Sequence, residues 1–176
     1  FRQGILPDNP VDRVEPPRLC SPRQYFYTPE QLRTLFHAVE GTRLELVVKL
    51  AGYLGLRRSE ICGLRWENVD LEHNLIHICT VRTTAGGSVV QKHPKTAHSI
   101  RKLGIAGLDD LVGLLLQERE RQAANKRLER NWTDSGYVIV RADGKPCDPN
   151  RVTDAFHRFI QEQGLPPITI HGLRHT

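Results

Sequence analysis

The sequence predicts an α+β fold, mainly helical with a small antiparallel β-sheet on one side, and three observations carry that expectation. Apolar residues recur at helical spacing in several separated stretches, each bounded by a capping residue or a glycine. Between them, around residues 75–105, lies one region rich in Val, Ile and Thr with alternating character. The chain has 176 residues, enough for one domain with a real core and too few for two sizeable ones.

Residues 1–22, "FRQGILPDNPVDRVEPPRLCSP", hold five of the eleven prolines without sustained periodicity, so they read as an extended linker. Thr28 then opens a helix with Pro29 in its first turn and Gln31 completing a capping box. Leu32, Leu35, Phe36 and Val39 give its buried stripe, and Gly41 ends it. A second helix over 44–54 is apolar apart from Glu45 and Lys49, which predicts burial on most sides, and Gly55 stops it. "SEICGL" reads as a short third helix capped by Ser59, leading into "RWENVDLEHN", a polar turn. "LIHICTV", "SVVQ" and "SIRKLGI" read as strands, the first two joined through Gly86 and Gly87. A long helix over about 108–130 is apolar in its first half and alternately charged in its second. "YVIV" with the turn "ADGK" adds a strand or an extended segment. Asp148 and Pro149 start another helix, with Val152, Phe156, Phe159 and Ile160 inward and Gly164 at its end. Thr169 is placed to cap a last turn on which His171 and Arg174 are i, i+3 neighbours.

Twenty-five Lys and Arg against twenty Asp and Glu give a net charge of +5, a tilt toward a polyanionic partner that also fits a domain without one. Cys20, Cys62, Cys79 and Cys147 are widely spaced with no CxxC pair, so they suit reduced packing cysteines rather than a zinc or redox motif. The most apolar stretch, "LELVVKLAGYLGL", is too short to span a bilayer, and the N-terminal residues have no signal-peptide pattern. A soluble, cytoplasmic protein without membrane contact is expected.

Chemistry concentrates in three places. From His73 to Leu108 there is no Asp or Glu, while Arg82, Lys92, Lys95, Arg101 and Lys102 fall inside the stretch, a charge pattern suited to lie along a phosphate backbone. Taken alone, it is equally a solvated basic face. In "GLRRSE", Arg57 follows a nearly all-apolar helix and a glycine stop, where a guanidinium is held and aimed, and Glu60 is near enough to pair with it or orient a neighbour. A structural ion pair at a helix junction has the same signature. His171 and Arg174 form a third, anion-suited pair. Two arginines can grip the non-bridging oxygens of a phosphodiester while a Lys or His moves protons to the attacking or leaving oxygen.

"GLRRSEICGLRWENVDLEHNLIHI", then "PKTAHSIRKLGI", then "HGLRHT", in that order, resemble the catalytic domain of the tyrosine recombinases, the phage integrase family. The resemblance covers about residue 25 to the end, implying a catalytic domain over 23–176 and an interdomain linker over 1–22. It implies that Arg57 is the first catalytic arginine, Lys95 the hairpin lysine that protonates the leaving 5′ oxygen, and His171 and Arg174 the His-x-x-Arg pair. Glu60 and His175 match supporting positions, and Arg82, Lys92, Arg101 and Lys102 are expected to contact DNA. The implied activity is site-specific recombination or integration of a phage or mobile element through a 3′-phosphotyrosine intermediate. The implied partner is double-stranded DNA at an attachment site, bound by a tetramer, with no cofactor and no metal.

The family's second histidine or tryptophan and its nucleophilic tyrosine come after the His-x-x-Arg pair, whereas Tyr25, Tyr27, Tyr53 and Tyr137 all precede it. The expectation is therefore a domain cut inside its active-site motif, with no nucleophile in this chain and without cleavage activity as it stands. Two other readings remain: a non-catalytic DNA-binding module on the same scaffold, and a metal held by His171 and His175 at i, i+4, for which no intervening Glu and no obvious third ligand are supplied.

Overall fold

The computed structural model describes residues 14, 26–85, 88–92 and 100–175. Among the described residues six α-helices run in the order α1 (Pro29–Val39), α2 (Glu45–Leu54), α3 (Arg58–Gly63), α4 (Asp109–Leu128), α5 (Pro149–Glu162) and α6 (Ile170–Leu173). Between α3 and α4 the described residues form a 3₁₀ turn at Trp66–Asn68 and five short strands: β1 (Val69–Asp70), β2 (Leu75–Ile78), β3 (Val81–Ala85), β4 (Ser88–Lys92) and β5 (Arg101–Gly104).

The α1 start is the one its residues dictate. Thr28 Oγ1 accepts from the Gln31 backbone N–H at 3.3 Å while Gln31 Oε1 accepts from the Thr28 N–H at 2.9 Å, so two orphan donors of the first turn are satisfied reciprocally. Helix α2 is the hub. It touches α1, α3, α4 and α6, and Val47, Val48, Leu50 and Ala51 are buried among them. Its two charged residues are buried too, and each is paired. Lys49 Nζ lies 3.2 Å from Glu45 Oε1 and 3.1 Å from Asp110 Oδ2 at the start of α4, and Glu45 Oε2 takes the Gly41 N–H. Gly55 ends α2 in the left-handed region at φ 59°, as a glycine stop should. Helix α5 buries Val152, Phe156, Phe159 and Ile160, with Asp148 as its cap and Gly164 past its end at φ 62°.

Three expectations are corrected. Arg57, not Ser59, is the N-cap of α3, because the Glu60 carboxylate reaches back to the Arg57 backbone N–H and leaves Ser59 inside the helix. "RWENVDLEHN" is more than a turn: it holds the 3₁₀ turn and β1, and its reversal at residues 71–74 ends on Asn74 at φ 53°. The antiparallel β structure is present but divided. "LIHICTV" breaks at Cys79–Thr80 into β2, which pairs with β1 and β5, and β3, which among the described residues pairs only with β4. At the break Thr80 Oγ1 donates to the Gly63 carbonyl at 2.7 Å, pinning the departing strand to the end of α3. "YVIV" is the extended segment, joined by single bridges Arg65↔Tyr137 and Val140↔Pro146. Gly86 and Gly87, and all of the linker expected over 1–22 except Val14, lie outside the described residues.

Candidate active site

The α2–α3 junction and α6 together make the site. The chain leaves α2 at Gly55 and enters α3 at Arg58, so Arg57 sits on a short extended connection with its own side chain about half exposed. Its guanidinium Nη1 lies 3.1 Å from Glu60 Oε1, and its backbone N–H donates to Glu60 Oε2 at 2.9 Å. Glu60 is 2% exposed, and a buried carboxylate requires partners. Arg101, on β5, supplies two more, with Nη1 at 2.9 Å from Oε1 and Nη2 at 3.0 Å from Oε2. Burial pushes the Glu60 carboxyl up. The Arg101 hydrogen bonds, and after them those from Arg57, outweigh burial and hold it below the usual carboxylate value.

Arg174 arrives from the other end of the sequence. Thr169 Oγ1 accepts from the Gly172 N–H at 2.9 Å to cap α6, while Ile170 and Leu173 are buried. That anchoring carries Arg174 onto the α2 stop, where its Nη1 donates to the Gly55 carbonyl at 3.1 Å. The Gly55 α-carbon faces the Arg174 stem, since a Cβ built there would lie 3.5 Å from Arg174 Cγ. One guanidinium is therefore fixed two residues from the other's backbone. His171, on the exposed side of α6, has Nε2 3.3 Å from Nε2 of His175, the rings meeting edge to face at 4.9 Å. Its pKa is held below the ordinary imidazole value first by partial burial, then by the charges of His175, Arg174 and Arg57. His171 and His175 also line a groove of about 420 Å³ with Phe26, Ile160 and Ile168.

The other expected residues fall elsewhere. Lys95 lies outside the described residues, and Lys92 is the last residue of β4. Lys102 is exposed on β5 opposite His77. Arg82 is turned inward: Nη1 donates to the Cys147 carbonyl at 2.8 Å, and its guanidinium lies 5.0 Å from the Tyr137 ring centroid. Arg101 likewise faces Glu60 rather than solvent, a role that the acid-free run around it did not signal. The described tyrosines are engaged away from the site: Tyr27 with the Pro166 carbonyl, Tyr53 with Asp110 and Tyr137 with Gln91. Among the described residues no group of three or more His, Cys, Asp or Glu is arranged to hold a metal ion, and no helix is long and apolar enough to cross a membrane.

Residues 26–176 match the phage integrase family. The chain is 30% identical over 185 residues to the ICEBs1 integrase of Bacillus subtilis, covering 99% of this chain and 47% of that protein. It is 25% identical over 185 residues to a XerC-like tyrosine recombinase of Caldanaerobacter subterraneus subsp. tengcongensis, covering 98% and 45%. The chain thus spans about half the length of these relatives. In fold it is similar to the Tn1549 transposon integrase, solved in complex with transposon right end DNA, at a TM-score of 0.75 and 19% identity over 96% of this chain and 56% of that one. It is also similar to XerA recombinase, at a TM-score of 0.65 and 23% identity over 91% and 50%. With residues 26–176, most of its length, matching that family, this chain belongs to the phage integrase family.

Proposed function

We propose that residues 23–176 form the phosphate-gripping part of the active site of a tyrosine site-specific recombinase, with residues 1–22 as its linker. The observation that carries the reading is the docking of Arg174 on the Gly55 carbonyl, two residues before Arg57 and 119 residues away in sequence, with His171 near enough to feel the charges of both arginines. Two guanidiniums hold the non-bridging oxygens of a scissile phosphodiester and stabilise the charge of its pentavalent transition state. His171, biased toward its neutral form first by partial burial and then by its cationic neighbours, is suited to take or return a proton at the attacking oxygen. Lys95 is the proton donor to the leaving 5′ oxygen. A tyrosine phenol would attack phosphorus as the P–O5′ bond breaks, giving a 3′-phosphotyrosyl link and a free 5′ hydroxyl, and reversal by another 5′ hydroxyl would reseal the strand. The bond energy stays in the covalent intermediate, so neither ATP nor a metal is needed.

The described tyrosines, Tyr27, Tyr53 and Tyr137, are hydrogen-bonded elsewhere, so the attacking phenol is not assigned to any of them. The partner would be duplex DNA at a specific attachment site, bound by a tetramer in the cytoplasm, with Lys92 and Lys102 as further phosphate contacts. Arg57→Ala and Arg174→Ala are each expected to weaken duplex binding about tenfold and to lower the salt slope by about one. Where a tyrosine-bearing segment completes the site, each should cut covalent attachment to DNA by about 100-fold or more. Unchanged binding and attachment in both variants would overturn the proposal. Arginine-dependent binding that never yields a covalent adduct would favour a non-catalytic DNA-binding module on the same scaffold.

A further inference from the structure

Glu60 poses an electrostatic problem for the site just described. A buried carboxylate 3.1 Å from the Arg57 guanidinium fixes that side chain in place, but it also offers to cancel the charge that a phosphate would meet. Its two oxygens receive four donors. Oε1 is shared by Nη1 of Arg57 and Nη1 of Arg101, and Oε2 by the Arg57 backbone N–H and Nη2 of Arg101. Arg101 takes the bidentate fork geometry, the strongest guanidinium–carboxylate arrangement, whereas Arg57 gives only one guanidinium nitrogen to the carboxylate. Two guanidiniums and one carboxylate leave a net charge of one, and exposure decides where it is presented. The Arg57 side chain is 49% exposed, that of Arg101 26% and that of Glu60 2%.

We propose that Arg101 is a positioning residue: by neutralising Glu60 from the protein side, it lets that carboxylate orient Arg57 without cancelling its charge toward an incoming phosphate. This rests on the phosphate-clamp reading of Arg57. It assigns Arg101 a role different from direct DNA contact, and it explains why a residue 41 positions from Glu60 in sequence is turned away from the surface.

The test uses the 176-residue chain and a short DNA duplex of arbitrary sequence, with affinity read by fluorescence anisotropy and folding checked by thermal melting. Arg101→Met is expected to weaken binding about tenfold, because Glu60 then pairs with Arg57 alone. Arg101→Lys, which keeps the charge and loses the fork, should stay within about threefold of the parent. The discriminating variant is Glu60→Gln combined with Arg101→Met, which leaves no unpaired buried charge and should recover to within about threefold. A merely structural Arg101 would give no such recovery. If Arg101→Met does not fold, the double variant decides alone: a loss as large as that of Arg57→Ala overturns the proposal. If Arg57→Ala is weak while Arg101→Met binds like the parent, Arg101 has no positioning role and the clamp reading stands. If Arg57→Ala itself binds like the parent, both fall.

Discussion

His171 shows how much of the site's chemistry is a property of neighbours. Burial and three nearby basic groups disfavour its imidazolium, so its pKa lies below the ordinary value near 6.5. Removing a cationic neighbour must raise it. In Arg174→Ala the His171 titration, followed by NMR, is expected to move upward toward 6.5, and inorganic sulfate bound between the two arginines should move it the same way in the parent chain. A downward shift in either case would mean that His171 does not feel these charges. Because the folded pKa is depressed, any stability tied to neutral His171 is present above the unfolded pKa and lost as pH falls through the window between the two values. At this scale the sequence was legible where motif spacing spoke: Arg57, His171 and Arg174 are all at the junction. Arg101 was not legible, because an arginine in an acid-free stretch looks like surface until tertiary structure supplies its carboxylate from another element.

Helices declared themselves through their ends. Thr28 with Gln31, the Gly55 stop, and Asp148 with Pro149 are local chemistry, and each sits where local rules place it. The division of the β structure could not be read that way. "LIHICTV" has continuous strand propensity, and what breaks it is the contact of Thr80 and Val81 with the end of α3, seventeen residues upstream. Gly63 makes that contact possible. A Cβ there would lie 2.8 Å from the Thr80 carbonyl oxygen and 2.8 Å from Val81 Cα, both backbone atoms that cannot rotate away. Gly63→Ala is therefore expected to destabilise the fold by about 2 kcal/mol, by overpacking rather than by lost burial. Urea unfolding with the slope unchanged would show it, whereas a midpoint equal to that of the parent would mean that β3 shifts freely.

Across the whole molecule, α2 joins the core to the site, and an ion cluster, buried at Glu45 and Lys49 and open to solvent at Asp110, ties it to α4. Lys49 is 7% exposed and held between Glu45 and Asp110, whose Oδ2 also accepts from the Tyr53 hydroxyl at 2.8 Å. Lys49→Ala leaves the buried Glu45 carboxylate without its cation, while Asp110 is partly solvated, and is expected to cost about 2 kcal/mol of stability. Chemical denaturation measures it, and a loss below about 1 kcal/mol would show that water reaches the cluster. Sequence pattern flagged Glu45 and Lys49 as exceptions on an apolar helix but could not supply Asp110, which is 61 residues away. The hydrogen bond from Arg174 to Gly55 spans 119 residues. A contact of that separation closes only after the intervening chain has collapsed, so the two-arginine arrangement is coupled to completion of the fold. A partly folded chain presents one jaw without the other. Conversely, an anion bridging both arginines would favour the docked α6 by mass action, so such a ligand would act as a chaperone for the jaw that holds it.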